Sequence, residues 1–140
     1  MNVELLNPAA EAYAAQFSGA HDELLNEVAV YTYETHPHAH MLSGQVQGKL
    51  LTMLSRMIRP SRILEIGTFT GYSALCLAKG LSSDGLLYTI ELREEDASKA
   101  LNFFNKSTVK DRIKLQVGNA LNIIPALNER WDMVFIDADK

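Results

Sequence analysis

The stretch Glu65-Ile66-Gly67-Thr68-Phe69-Thr70-Gly71-Tyr72-Ser73 constrains the fold of this chain more than any other segment. An apolar run, Arg62-Ile63-Leu64-Glu65-Ile66, ends at a glycine and reads as a buried strand. The residues from Tyr72 to Lys79 then read as a helix with Gly80 as its stop. A strand that turns through glycines into a helix opens a βαβ unit and therefore a parallel sheet. The loop falls at the carboxyl end of its strand, where open α/β sheets bind ligands. Gly67 lets the backbone come close to a ligand, and Gly71 is expected to let the helix pack tightly on the strand.

The same rhythm continues to the end. Ser82-Ser83-Asp84-Gly85 marks a turn, and Leu86 to Ile90 a second buried strand. Glu94 to Asn105 predicts a helix with Ala97, Ala100, Leu101 and Phe104 facing inward. Ile113 to Val117 is a third strand, Leu121 to Leu127 a short helix and Met133 to Ile136 a fourth strand. Right-handed crossovers put helices on both faces of such a sheet. The expected class is α/β, a doubly wound Rossmann-like sheet with parallel strands 1–4. At 140 residues it suits one domain, with a helical part over 1–60 and a cofactor-binding βαβ half over 61–140. In the helical part, Pro8 opens a first helix through Phe17, and Leu24, Leu25, Val28 and Ala29 mark a second that Pro37 breaks. Ser43 is the expected N-cap of a third, whose stripe of Val46, Leu50, Leu54 and Met57 should face the core before Arg59-Pro60 stops it.

The acids at the strand ends narrow the ligand. Glu91 closes the second strand 24 positions after Gly67, a spacing that suits a carboxylate accepting hydrogen bonds from ribose hydroxyls. The loop is not G-x-G-x-x-G, because Phe69 stands where a glycine would admit a pyrophosphate, and no G-K-[ST] triplet is present. A nucleoside ligand without phosphates fits better. Glu65 is expected to point into the same crevice, where a carboxylate favours a cation such as a sulfonium. A formal charge of −4 with scattered basic residues argues against a nucleic-acid partner. The lone cysteine, Cys76, sits among apolar residues and reads as core. The start lacks the pattern of a signal peptide and no run reaches membrane-spanning length, so a cytoplasmic location is expected. His36, His38 and His40 read as a lid segment near the cofactor mouth rather than a metal site, and Tyr31, Tyr33 and Met41 as packing.

The string Leu64 to Ser73, together with Phe135-Ile136-Asp137-Ala138-Asp139-Lys140, resembles the cation-dependent O-methyltransferases, which include catechol and caffeoyl-CoA O-methyltransferases and small bacterial relatives. The resemblance runs from His40 onward. It implies S-adenosyl-L-methionine as cofactor and a divalent cation such as Mg²⁺, which would hold neighbouring hydroxyls of a small phenolic acceptor and lower the pKa of the reacting one. It implies that Glu65 and the backbone of Gly67 and Thr68 hold the methionine end, with Ser73 on its carboxylate and Glu91 on the ribose. Ala120 would present its backbone to the adenine, and Met41 and Ser43 would close over the cofactor. Asp137 would serve both cofactor and metal, and Lys140 would be the general base. Asn119 departs from the aspartate common at that position. A homodimer is also implied.

The family continues past the lysine with further strands that carry two more metal ligands and the acceptor pocket. The chain is therefore expected to be C-terminally incomplete and, alone, weakly active or inactive. Two other readings are a nicotinamide-dependent oxidoreductase, opposed by Phe69, and a non-catalytic remnant that binds the cofactor.

Overall fold

The computed structural model describes residues 7–20 and 22–138. Four parallel strands, β1 (Arg62–Ile66), β2 (Leu86–Glu91), β3 (Ile113–Val117) and β4 (Met133–Ile136), form one sheet in the order β3-β2-β1-β4. The chain therefore steps outward twice from β1, then returns to its other side. Right-handed crossovers make that reversal put α4 (Tyr72–Ala78) and α5 (Glu94–Lys106) on one face and α6 (Ala120–Leu127) on the other. The expected doubly wound α/β architecture is present, and its topological switch point lies between β1 and β4.

Local chemistry sets the element ends. Asn7 caps α1 (Pro8–Phe17) by accepting the Ala9 N–H, and Pro8 occupies the first helical position, where its missing N–H costs nothing. Asp22 caps α2 (Glu23–Thr35) through the Leu25 N–H. Ser43 precedes α3 (Gly44–Ile58) but makes no side-chain cap, so the expected N-cap role is not realised. Helix α4 is buried at every position, sandwiched between the sheet and the outer helices α2 and α3. The core joins Leu25 and Val28 of α2, Leu75, Cys76 and Leu77 of α4, Ile63 and Leu87 of the sheet, and Phe103 and Phe104 of α5. Cys76 is wholly buried, and burial pushes its thiol up to about 11.

Two expectations about facing are corrected. The stripe of α3 looks outward: Leu50 is 48% exposed and Met57 75%, with Val46 and Leu54 also exposed. The face turned inward is Gly48, Leu51 and Ser55. The reason is close approach to α4, since a Cβ on Gly48 would lie 2.6 Å from the Tyr72 ring and 2.9 Å from the Cys76 sulfur. The short hydroxyls on this face also reach α4 carbonyls, Ser55 donating to Leu77 O at 2.6 Å and Thr52 to Cys76 O at 3.2 Å. Those bonds give a second donor to carbonyls that the Lys79 and Gly80 N–H groups already reach, at 3.4 and 3.2 Å. Helix α4 ends at Ala78, just before the expected stop at Gly80, whose missing side chain also admits α3: a Cβ there would meet Ser55 at 2.2 Å. In α5, Leu101 is 47% exposed, and Phe103 takes the inward place assigned to it.

Strand β4 pairs with β1 alone among the described residues, and Val134 and Ile136 are exposed. No helix among the described residues is long and apolar enough to cross a membrane.

Candidate functional site

The carboxyl ends of β1, β2 and β4 open into one crevice with two lobes, of about 270 and about 240 Å³. Together they fall within the range of small-molecule sites, roughly 300–1,000 Å³. Met41, Gly67, Phe69, Asp137 and Ala138 line both lobes, so the crevice straddles the switch point. A groove of about 390 Å³ between α3 and α4 is larger than either lobe alone, but it lies away from every strand end. The crevice is where an open α/β sheet takes ligands.

Its floor is the glycine loop. The Gly67 and Thr68 N–H groups both donate to the Ile90 carbonyl of β2, at 2.9 and 3.2 Å. They are spent within the fold, and the Thr68 carbonyl accepts the Gly71 N–H at 2.9 Å. Gly67 has φ +99°, and a Cβ there would lie 2.7 Å from the Asp137 carbonyl oxygen. Gly71, at φ +92°, meets Phe104 of α5 at 2.7 Å by the same construction, so its tight packing is against α5 and not the strand. Both positions are closed to side-chain-bearing residues.

Glu65 is placed differently from the expectation that it points into the crevice. It is wholly buried beneath the loop and lines neither lobe. The Ser73 and Thr89 hydroxyls donate to its two carboxylate oxygens, each at 2.5 Å, and Thr68 and Thr89 hydroxyls lie 2.6 Å apart. Burial pushes the Glu65 carboxyl up to about 7, against the pull of those two hydroxyls; Asp137 and Glu91 add to the rise. The group thus organises the floor from below. Ser73 does face the crevice, but a hydroxyl has one proton, and here it goes to Glu65.

Glu91 occupies the rim. It is nearly buried, lines the larger lobe, and accepts the Phe69 N–H at 2.7 Å and the Arg93 N–H at 3.0 Å. A carboxylate has about four lone-pair positions, so two remain for ligand hydroxyls. Phe69 holds a left-handed backbone at φ +51° to make this contact. At the far side Asn119 caps α6, its side-chain oxygen accepting the Leu121 N–H at 2.9 Å, with Ala120 as the first helical residue; both line the larger lobe. Ser43 and Met41 line the smaller lobe from the helical part, and Met41 reaches both. Asp137 stands at the end of β4, its N–H on the Ile66 carbonyl at 2.9 Å, and burial raises its carboxyl. Lys140 lies outside the described residues.

Tyr31 packs edge-on against Phe103, and Tyr33 is exposed, so neither lines the crevice. Among the described residues no three His, Cys, Asp or Glu side chains gather as metal ligands. Sequence reasoning missed Thr89, Phe69 and the His36–Asp96 pair. Thr89 had a signal: it is a hydroxyl inside an apolar strand, in register with Glu65.

Comparison with known proteins agrees with this fold. Residues 15–140 match the O-methyltransferase family. A catechol O-methyltransferase of Niastella koreensis is 36% identical over 67% of this chain and 44% of its own length. Caffeoyl-CoA O-methyltransferase 1 of Eucalyptus globulus is 36% identical over 75% of this chain and 45% of its own. The chain thus spans less than half the length of these curated relatives. Among solved structures, the S-adenosylhomocysteine-bound methyltransferase PaMTH1 of Podospora anserina superposes with a TM-score of 0.86 at 32% identity, over 93% of this chain and 56% of that one. A family match across most of the residues, with relatives that agree in both sequence and fold, places this chain in the O-methyltransferase family.

Proposed function

We propose that the chain supplies the cofactor-binding half of an S-adenosylmethionine-dependent O-methyltransferase acting on a small catechol-like or phenolic acyl acceptor. The observation that carries the reading is Glu91, a nearly buried carboxylate fixed by two backbone N–H groups at the rim of a crevice with no pyrophosphate-admitting glycine. The S-adenosylhomocysteine held by the Podospora anserina relative supports the same ligand class here.

In this reading the ribose hydroxyls donate to Glu91 and the adenine lies against Ala120 and Asn119. The methionine end sits over Gly67 and Thr68. The Ser73 hydroxyl, its proton held by Glu65, keeps its oxygen to accept from an ammonium there. Ser43 and Met41 close the smaller lobe. The acceptor oxygen attacks the methyl carbon as the carbon–sulfur bond breaks, the sulfur leaves uncharged, and the hydroxyl proton passes to a base. Lys140 is our candidate for that base. Holding the reactants in line supplies much of the rate.

A divalent cation belongs to the finer reading. Asp137 is the ligand that the family resemblance implies, and a hard cation takes about six or more oxygens. No three His, Cys, Asp or Glu side chains gather as ligands among the described residues, which do not by themselves fit such a site. We also propose a cytoplasmic homodimer, to be tested by cell fractionation and by sedimentation.

The test is calorimetric titration with S-adenosylmethionine and S-adenosylhomocysteine, on the wild type and on Glu91→Ala. Losing hydrogen bonds to a charged group costs about 1.5–3 kcal/mol, so Kd should rise roughly 10- to 150-fold. No binding by the folded wild type, or equal binding by the variant, would refute the reading. Binding without turnover of any phenolic acceptor would favour the non-catalytic alternative.

A further inference from the structure

We infer that His36 is a positioning residue for the cofactor crevice, tying the segment that carries Met41 to the Glu91 side of the site. The inference rests on the proposal that the crevice takes S-adenosylmethionine.

The geometry converges on one ring. His36 ends α2, with its N–H on the Thr32 carbonyl at 3.0 Å. Its Nδ1 accepts the His38 N–H at 3.0 Å, which places the ring proton on Nε2. That proton is donated to Asp96 Oδ1, also at 3.0 Å. Asp96 is itself buried, lies in the first turn of α5 and lines the larger lobe. The face of the bond is closed by Phe69, whose ring meets the His36 ring edge-on with centroids 4.5 Å apart. Phe69 is the residue whose N–H Glu91 holds.

The segment beyond His36 is built on it. Ala39 donates its N–H to the His36 carbonyl at 3.1 Å, and Met41 donates to His38 at 2.9 Å, forming the 3₁₀ turn Ala39–Met41. That turn delivers Met41 to both lobes of the crevice. One imidazole therefore links the roof, through its own backbone and His38, to the rim, through Asp96 and Phe69. A second tie runs parallel, since the Thr32 and Thr70 hydroxyls lie 2.9 Å apart and both are buried. Helix α2 can thus stay docked when the imidazole is removed, which separates a positioning role from a folding one.

The experiment compares His36→Ala, His36→Gln, Asp96→Ala and the double variant His36→Ala/Asp96→Ala in the intact protein. S-adenosylhomocysteine affinity is read by calorimetry, global stability by urea denaturation, and the 36–43 segment by amide hydrogen exchange. His36→Ala is expected to weaken binding about tenfold and to speed exchange at 38–42, with the urea midpoint little changed. His36→Gln keeps a donor for Asp96 and should recover part of the affinity. The double variant should be no worse than the poorer single one, because both remove the same contact. Wild-type binding with all variants within twofold of it would overturn the inference and leave the cofactor proposal standing. So would single effects that multiply in the double variant, or affinity losses that merely track the urea midpoint. Failure of the folded wild type to bind would overturn both together.

Discussion

The Glu65→Gln substitution puts the interior of the site under the sharpest test. Glu65 is a carboxyl with no solvent exposure, held by the Ser73 and Thr89 hydroxyls and displaced by burial from its ordinary value of 4.5 to about 7. Raising a carboxyl on folding means that the native state keeps its proton where the unfolded chain has lost it. The contribution is fully present below pH 4.5, decays as pH rises towards 7, and is gone above that. At ~1.4 kcal/mol per pH unit of displacement, the wild type loses about 3 kcal/mol across that window through this group. The amide variant does not titrate. Its oxygen can accept from one hydroxyl and its NH₂ can donate to the other. The Thr68–Thr89 pair, 2.6 Å apart, can reverse its direction to accommodate this. Urea denaturation of both proteins at pH 5 and pH 8 isolates the effect, because titrating groups that do not interact with Glu65 cancel between them. The variant should match the wild type within about 1 kcal/mol at pH 5 and exceed it by ~3 kcal/mol at pH 8. A difference that is the same at both pH values would refute the argument that burial, and not the two hydroxyls, governs this group.

Other outcomes follow from the packing. Leu51→Ala should cost about 2–4 kcal/mol in urea denaturation, while Leu50→Glu, one residue away on the exposed side of α3, should stay within about 0.5 kcal/mol; the opposite order would show the helix facing the other way. Gly71→Ala should lower stability by about 2–4 kcal/mol, from overpacking plus a forced positive φ, read as a fall in Tm. The Cys76 thiol, buried and pushed up to about 11, should react with an aromatic disulfide reagent at pH 8 only after unfolding; rapid reaction of the native protein would contradict its placement.

The site half of this fold was far more legible than the helical half, for a physical reason. The β1–loop–α4 segment carries its instructions locally: an apolar strand, two glycines that no other residue replaces, and a helix that follows at once. Glu91 declared itself by its place at a strand end. Helix α3 was misread because periodicity registers where apolar side chains cluster, not what the neighbouring helix requires. Gly48, Thr52 and Ser55 look like the weak face, yet they let α4 approach and satisfy its carbonyls. Gly80 marked the end of α4 correctly, but its close contact with Ser55 of α3 is long-range and shows in no local signal. Glu65 was expected to point into the crevice because a charged strand-ending residue usually serves a ligand. Only the register opposite Thr89 shows it turned inward. The His36–Asp96 contact joins residues on α2 and α5, and nothing in either local sequence announces it.

The missing Cβ of Gly67 has a consequence for the order of assembly. The space it vacates is filled by the backbone of Asp137 and Ala138, so the loop after the first strand and the end of the fourth are interlocked like a tenon in its mortise. The intervening chain must all be traversed before that joint can close, and joints between distant segments form slowly. A molecule folded through β3 has its Glu91 but only an open-sided recess. Under the proposed cofactor reading, affinity should report β4 docking, and added cofactor should shift the equilibrium towards the docked strand.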